Sequence, residues 1–233
     1  MPSNNQFKPL PLDLDGVISS FKEHIKQSER YVKDFEKRHF NGIREKAIIY
    51  CLQHAVDLAK GCLAAVENEL PDSTTTLSRA ILETLFWTRY VSISKENAQE
   101  FTDAPFHEMK RTARKNLKAG YARVSQIDTK EDKTEEILNS DFMKIIPKRI
   151  LIEDAAKVGG LERVYTNIYG FISMTAHGRA INLRTNKEIK TGLYTSLSVA
   201  LGAFQCTELI ADDWISHRKQ TEKNMLVRCW FVY

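Results

Sequence analysis

The chain has 233 residues, 42% of them apolar and 27% charged, the balance of an ordinary globular protein rather than a disordered or fibrous one. Its 34 Lys and Arg against 30 Asp and Glu leave a net charge of +4, too small to imply nucleic acid unless the cations cluster locally. No apolar run nears the roughly 20 residues of a membrane helix, and Met1–Leu14 lacks the apolar centre of a secretory signal.

Residues 1–14 read as a polar N-terminal extension. Val17, Ile18, Phe21, Ile25, Ser28, Val32 and Phe35 then recur at spacings of three and four, which predicts one inner stripe on a long helix that Asn41-Gly42 either ends or interrupts as a tolerated irregularity. A second stripe runs through Ala47, Ile48, Leu52, Ala55, Val56, Ala59, Leu63, Val66 and Leu70 and stops at Pro71. Asp72 or Ser73 offers an N-cap for a third helix from Thr74 to about Ile93. A short helix around Glu96–Phe101 is expected next, with Pro105 in the first turn of another that reaches about Val124.

Asp128–Glu136 carries seven charges in nine residues and reads as an exposed loop leading into a helix that Pro147 interrupts. Ile152–Val158 is a short helix closed by Gly159-Gly160, and Leu161–Ala176 a clear one ending near Gly178. Arg179–Lys190 is polar and irregular, and Thr191–Lys219 is the last long helix. The segment 220–233 ends in the apolar tail Met225–Tyr233, expected to pack on the body or on a partner subunit. Period-two alternation is nearly absent. The expectation is an all-α, single-domain helical bundle of about seven to nine helices, with residues 15–219 as its body.

Two polar constellations interrupt this pattern. Arg79 and Glu83 stand one turn apart on the third helix, among Phe86, Trp87 and Tyr90, where a charge is costly unless paired. They are expected to be buried, either as a structural ion pair or as part of a polar pocket. On Leu161–Ala176, the residues Tyr165, Tyr169, Ser173 and His177 repeat every four positions, giving an edge of three hydroxyls and an imidazole. His177-Gly178 also suits a plain helix terminus, with the tyrosines in the core. Brought together, His177, Glu83 and Arg79 would form a group able to move protons and stabilise a phosphate or oxyanion.

The stretch Leu77-Ser-Arg-Ala-Ile-Leu-Glu-Thr-Leu-Phe-Trp-Thr-Arg-Tyr90, followed by Tyr169-Gly-Phe-Ile-Ser-Met-Thr-Ala-His-Gly178, resembles an uncharacterised bacterial family of all-helical proteins, a DUF5677-like domain of unknown function. That family carries R-x-x-x-E on one helix and Y-x-x-x-S-x-x-x-H-G on another, and the resemblance spans roughly residues 40–215. It implies that Arg79, Glu83, Tyr169, Ser173 and His177 share one site. It implies no reaction, and only an association with bacterial immunity and mobile-element conflict.

Other signals are weaker. HEPN-type ribonucleases use R-x(4–6)-H, but none of the six histidines here has an arginine five to seven positions before it. Glu36-Lys-Arg-His39 is the single E-x-x-H, too few for a di-iron bundle. Glu208, Asp212 and Asp213, joined by Glu83 and His177, could hold a divalent ion, although a solvated acidic face near Trp214 is the simpler account. No P-loop, dinucleotide fingerprint, nucleophile elbow or zinc spacing occurs. Cys51, Cys62, Cys206 and Cys229 form no C-x-x-C pair, which points to reduced thiols. Arg111, Arg114, Lys115 and Lys118 lie on one flank of a basic helix and could contact phosphates, or merely solvate it.

The sequence therefore predicts a bacterial cytoplasmic effector acting on RNA or a nucleotide phosphate, with Arg79, Glu83 and His177 as catalytic residues. Tyr169, Ser173 and the four basic residues would bind substrate, with no metal or cofactor required. Its rival is a non-enzymatic interaction module, a homodimer in which the Arg79–Glu83 pair is structural. The third reading is a small-molecule or metal-binding bundle.

Overall fold

Asp13 opens α1 (Leu14–Glu36) by accepting the Gly16 amide hydrogen at 2.7 Å, the usual N-cap contact. In the computed structural model, which describes residues 10–11, 13–37, 42–147, 149–176 and 186–216, α1 turns Val17, Phe21, Ile25 and Ser28 inward as the stripe predicts. The tail Met225–Tyr233, Cys229 and His39 lie outside the described residues.

α2 (Ile43–Glu67) follows, buried along Ala55, Ala59, Cys62 and Val66. α3 (Pro71–Ile93) begins three residues earlier than expected, because Pro71 takes the first-turn position, where its missing N–H leaves no bond unmade. α4 (Lys95–Lys118) replaces two predicted helices with one and carries Pro105 inside it. The helix continues through the proline because only one N–H is lost and the surrounding turns keep their own bonds. It ends at Lys118, short of the expected Val124.

The charged segment 128–136 makes a turn closed by a single bridge between Ser125 and Asp132. α5 (Thr134–Asn139) and α6 (Asp141–Lys144) are over before Pro147. α7 (Ile152–Val158) stops at Gly159-Gly160. A Cβ on Gly159 would meet Arg89 Cγ at 2.9 Å and the Ala155 carbonyl at 3.1 Å, so this close approach requires glycine. α8 (Glu162–Val164), a π-turn at Tyr165–Tyr169 and α9 (Gly170–Ala176) form one uninterrupted helical run. α10 (Asn186–Ser216) is the longest helix. With that run taken as one, the described residues form nine helices and no strands.

These helices fall into two compact units, one built from residues up to Ala98 and from Ile152 onward, the other from Gln99–Leu151. In the first, α3 packs against α2 and α10 and also meets α7 and α9. Ile81, Leu82, Leu85 and Phe86 of α3 share a core with Leu197, Leu201, Phe204 and Ile210 of α10. The weakly polar side of α3 is also buried, through Thr74, Thr75, Ser78, Thr84, Thr88 and Ser92. Their hydroxyls need no solvent. Ser78, Thr84 and Thr88 each donate to the carbonyl one turn back, at 2.7–2.8 Å, and Thr75 reaches Ser196 on α10 at 3.0 Å. In the second unit, Leu117 and Met143 are the buried large apolar side chains.

Candidate functional site

On α3, Arg79 and Glu83 are one turn apart, and Arg79 Nε donates to Glu83 Oε1 at 2.9 Å. Their side chains are 23% and 32% exposed. The pair is half-buried, not sealed in an aromatic face as its neighbours in sequence imply. Phe86 and Tyr90 do sink into the core, but the turn carrying Arg79 and Glu83 reaches the protein surface.

The third member arrives from 86 positions down the chain. Tyr169 donates its hydroxyl hydrogen to Glu83 Oε1 at 2.7 Å and accepts from Arg79 Nη2 at 2.8 Å. Arg79 Nε also points at this oxygen, at 3.2 Å, and the guanidinium carbon lies 5.2 Å from the Tyr169 ring centroid. The π-turn sets this geometry. Its wider turn is closed by the Gly170 amide donating to the Tyr165 carbonyl five residues back. Tyr165 and Tyr169 thereby stack at 4.9 Å and 19°, and Phe86 presents its edge to both rings. Burial pushes the Tyr169 hydroxyl up to about 12, helped by the Glu83 carboxylate, so it stays a proton donor at neutral pH. Arg79 loses some hydration, yet its bond to Tyr169 and the charge of Glu83 raise its pKa overall.

Ser173 is half-buried on α9, one turn beyond Tyr169. His177 lies outside the described residues. The basic residues belong to the other unit and do not form one free strip. Arg111 is engaged by Glu108 at 2.7 Å and by the Pro147 carbonyl. Arg114 is half-buried, with its Nε unpartnered among the described residues, whereas Lys115 and Lys118 are exposed. Chain connectivity placed these four on one helix flank, but neighbouring carbonyls and carboxylates in the folded unit claim part of it.

Of the acidic group near Trp214, Asp212 and Asp213 are half-buried and Glu208 is not on a solvated face. Glu208 is buried, accepting from Ser28 at 2.9 Å and bonded to His24 Nδ1 at 2.7 Å, and His24 Nε2 meets Gln205 at 2.9 Å. This α1–α10 network commits the carboxylate that a metal reading would need. The described residues contain no group of three His, Cys, Asp or Glu placed to hold a metal ion. Sequence reasoning missed the network. Its signal was polar residues inside apolar stripes: His24 and Ser28 four apart on α1, Gln205 and Glu208 three apart on α10.

A family model matches residues 45–189, which contain Arg79, Glu83, Tyr169, Ser173 and His177; it describes a family of unknown function, DUF5677. The chain belongs to this family. No curated protein and no solved structure matches the sequence. Within the DUF5677 span, the R-x-x-x-E pair and the first tyrosine of the second motif meet in one hydrogen-bonded cluster. The His24–Glu208 network lies outside that span. No helix among the described residues is long and apolar enough to cross a membrane.

Proposed function

We propose that this DUF5677 protein is a bacterial cytoplasmic effector, of the defence or toxin kind, that acts on RNA or a nucleotide phosphate at the Arg79 site. The observation that carries the reading is the Tyr169 hydroxyl bonded to both Arg79 and Glu83 on a half-exposed surface. A guanidinium fixed in orientation by a carboxylate and a phenol is well suited to hold a phosphate oxyanion. Glu83 orients Arg79, and the Tyr169 hydroxyl, protonated at neutral pH, locks the pair by donating to Glu83 and accepting from Arg79.

In this reading His177, which closes the Y-x-x-x-S-x-x-x-H-G motif, is the general acid or base that moves the proton of the attacking or leaving oxygen. Ser173 adds a hydrogen bond. Arg114, Lys115 and Lys118 collect the polyanion, with Arg111 holding its own segment in shape. Exposed Lys115 and Lys118 support that role.

The test is RNA cleavage by the purified chain and its His177→Ala and Arg79→Lys variants, with thermal melts alongside. His177→Ala should abolish cleavage with little change in melting temperature, and Arg79→Lys should weaken substrate binding. A wild-type chain that leaves RNA and nucleotides untouched but forms a stable dimer supports the interaction-module reading instead. Parallel loss of folding and activity in His177→Ala would reduce that residue to a structural part.

A further inference from the structure

Between Met109 and Ile127 the chain carries six cations and no acid. Three of them are engaged within their own unit. Lys110 donates to the Ile145 carbonyl at 2.9 Å, Arg111 is held by Glu108 and Pro147, and Arg123 faces the Asp132 carboxylate. The acids that follow are also taken locally, Glu131 and Glu136 by Lys133 at 3.3 and 3.2 Å and Asp132 by the Thr134 amide at 2.8 Å. Arg114, Lys115 and Lys118 remain. Among the described residues no side-chain hydrogen bond or ion pair engages them. Arg114 Nε is shielded from water with nothing to accept its hydrogen, a deficit that an anion would fill.

The cap of α4 sets a ring beside these cations. Gly120 takes a φ of 73°, its amide donates to the Leu117 carbonyl at 3.1 Å, and the Tyr121 amide donates to the Asn116 carbonyl at 2.9 Å. An apolar residue at the Tyr121 position of such a cap ordinarily folds back onto the last turn. Here Lys115 and Asn116 stand where its apolar partner would be, and Tyr121 is 85% exposed. Its ring has no aromatic contact and its hydroxyl no bond among the described residues. Cations in a last turn complement the helix dipole, which accounts for the lysines but not for an open ring next to them. An uncovered aromatic face beside unpaired cations suits a single strand, whose bases can stack on the ring while its phosphates meet the charges. Bases inside a duplex are already stacked on both sides.

We infer that the capped end of α4 binds single-stranded RNA, with one base stacked on Tyr121 and the adjacent phosphates on Arg114, Lys115 and Lys118. RNA as the polymer rests on the function proposed above, whereas the strandedness and the stacking ring do not depend on any cleavage.

Fluorescence anisotropy of the full chain with a labelled oligouridylate and with an RNA duplex of the same length tests this, a gel verifying that the probe is intact at readout. Tyr121→Ala should weaken the single strand about tenfold, as the loss of one base–aromatic stack does, and leave the duplex unchanged. Tyr121→Phe should bind like the wild-type chain, because the ring and not the hydroxyl carries the stack. Lys115→Ala and Lys118→Ala should each lower the slope of log affinity against log salt by about 0.7, the counterion share of one phosphate contact on a single strand. Tyr121, Lys115 and Lys118 are exposed, and circular dichroism verifies that each variant is folded. Four results would overturn the assignment: no saturable binding of the oligouridylate, wild-type affinity in Tyr121→Ala, an equal loss on the duplex, or an unchanged salt slope in both lysine variants. Stacking-dependent binding by a chain that cleaves nothing would uphold this site and sink the proposed cleavage. RNA cleavage whose KM is indifferent to Tyr121→Ala would do the reverse.

Discussion

Tyr169 acts through both its oxygen and its ring. The oxygen joins Arg79 to Glu83, and the ring stacks on Tyr165 beneath the Phe86 edge. Tyr169→Phe keeps the stack and deletes the bridge, so it should cost about 1 kcal/mol of stability, read from denaturant midpoints. The variant should also change the response to alkali. An unfolded tyrosine ionises near 10, whereas the folded chain holds the Tyr169 proton to about 12. Below pH 10 both states are protonated and the stability of this site is complete. Between 10 and about 12 the unfolded chain releases its proton and the folded chain does not, so stability falls as pH rises through that window. The difference between wild-type and Tyr169→Phe midpoints should therefore shrink from pH 9 to pH 11.5; a constant difference would mean that the hydroxyl titrates normally. Glu83→Ala removes a carboxylate that is 32% exposed, so a loss of about 1–2 kcal/mol is expected rather than the larger penalty of a sealed ion pair.

Among the elements, the polar side chains of α3 and of the α1–α10 contact make the bonds that sequence could not specify. Periodicity located the inner stripes of α1, α2 and α10, since apolar side chains three and four apart must share a helix face. It missed the meaning of the polar interruptions. The hydroxyls of Ser78, Thr84 and Thr88 fall on the weakly polar side of a helical wheel, yet each satisfies itself on its own helix and can be buried. His24 and Glu208 are 184 positions apart, and no local pattern pairs them. The family motif did predict that Tyr169 and the Arg79–Glu83 pair would meet, whereas the half-exposure of that pair depends on packing. Glu208→Ala would leave Ser28 and His24 without their buried acceptor and should destabilise the chain by roughly 2–4 kcal/mol, while Lys190→Ala, exposed on the same helix, should do much less. Equal effects of the two, measured by thermal melting, would show that the network contributes nothing. The thiols of Cys51 and Cys62 are buried on α2, where burial pushes them up to about 12 and about 11. Thiol reagents at pH 8 should modify them only at the rate of unfolding, a rate that peptide mapping can follow.

At the scale of the whole molecule, the two units differ sharply in what they bury. The first is built on a continuous apolar core shared by α1, α2, α3 and α10, whereas the second encloses Leu117 and Met143 and leaves Phe106, Met109, Phe142 and Ile145 about half exposed or more. Amide hydrogen exchange should accordingly run faster across 99–151 than across α2, α3 and α10, because opening the smaller unit exposes little new apolar surface. Uniform protection over both would contradict that ordering. The matched span, residues 45–189, also has a practical consequence. It omits α1 and nearly all of α10, and with them Val17, Phe21, Leu197, Leu201 and Phe204. A fragment cut at those limits would expose the greasy flank of the helix that bears Arg79, and should precipitate or be degraded when expressed. Boundaries drawn by kinship thus fall inside the folding unit, and a biochemist seeking an active piece should retain at least residues 10–216, since Leu10 packs on the core and the Pro11 carbonyl accepts from Tyr194.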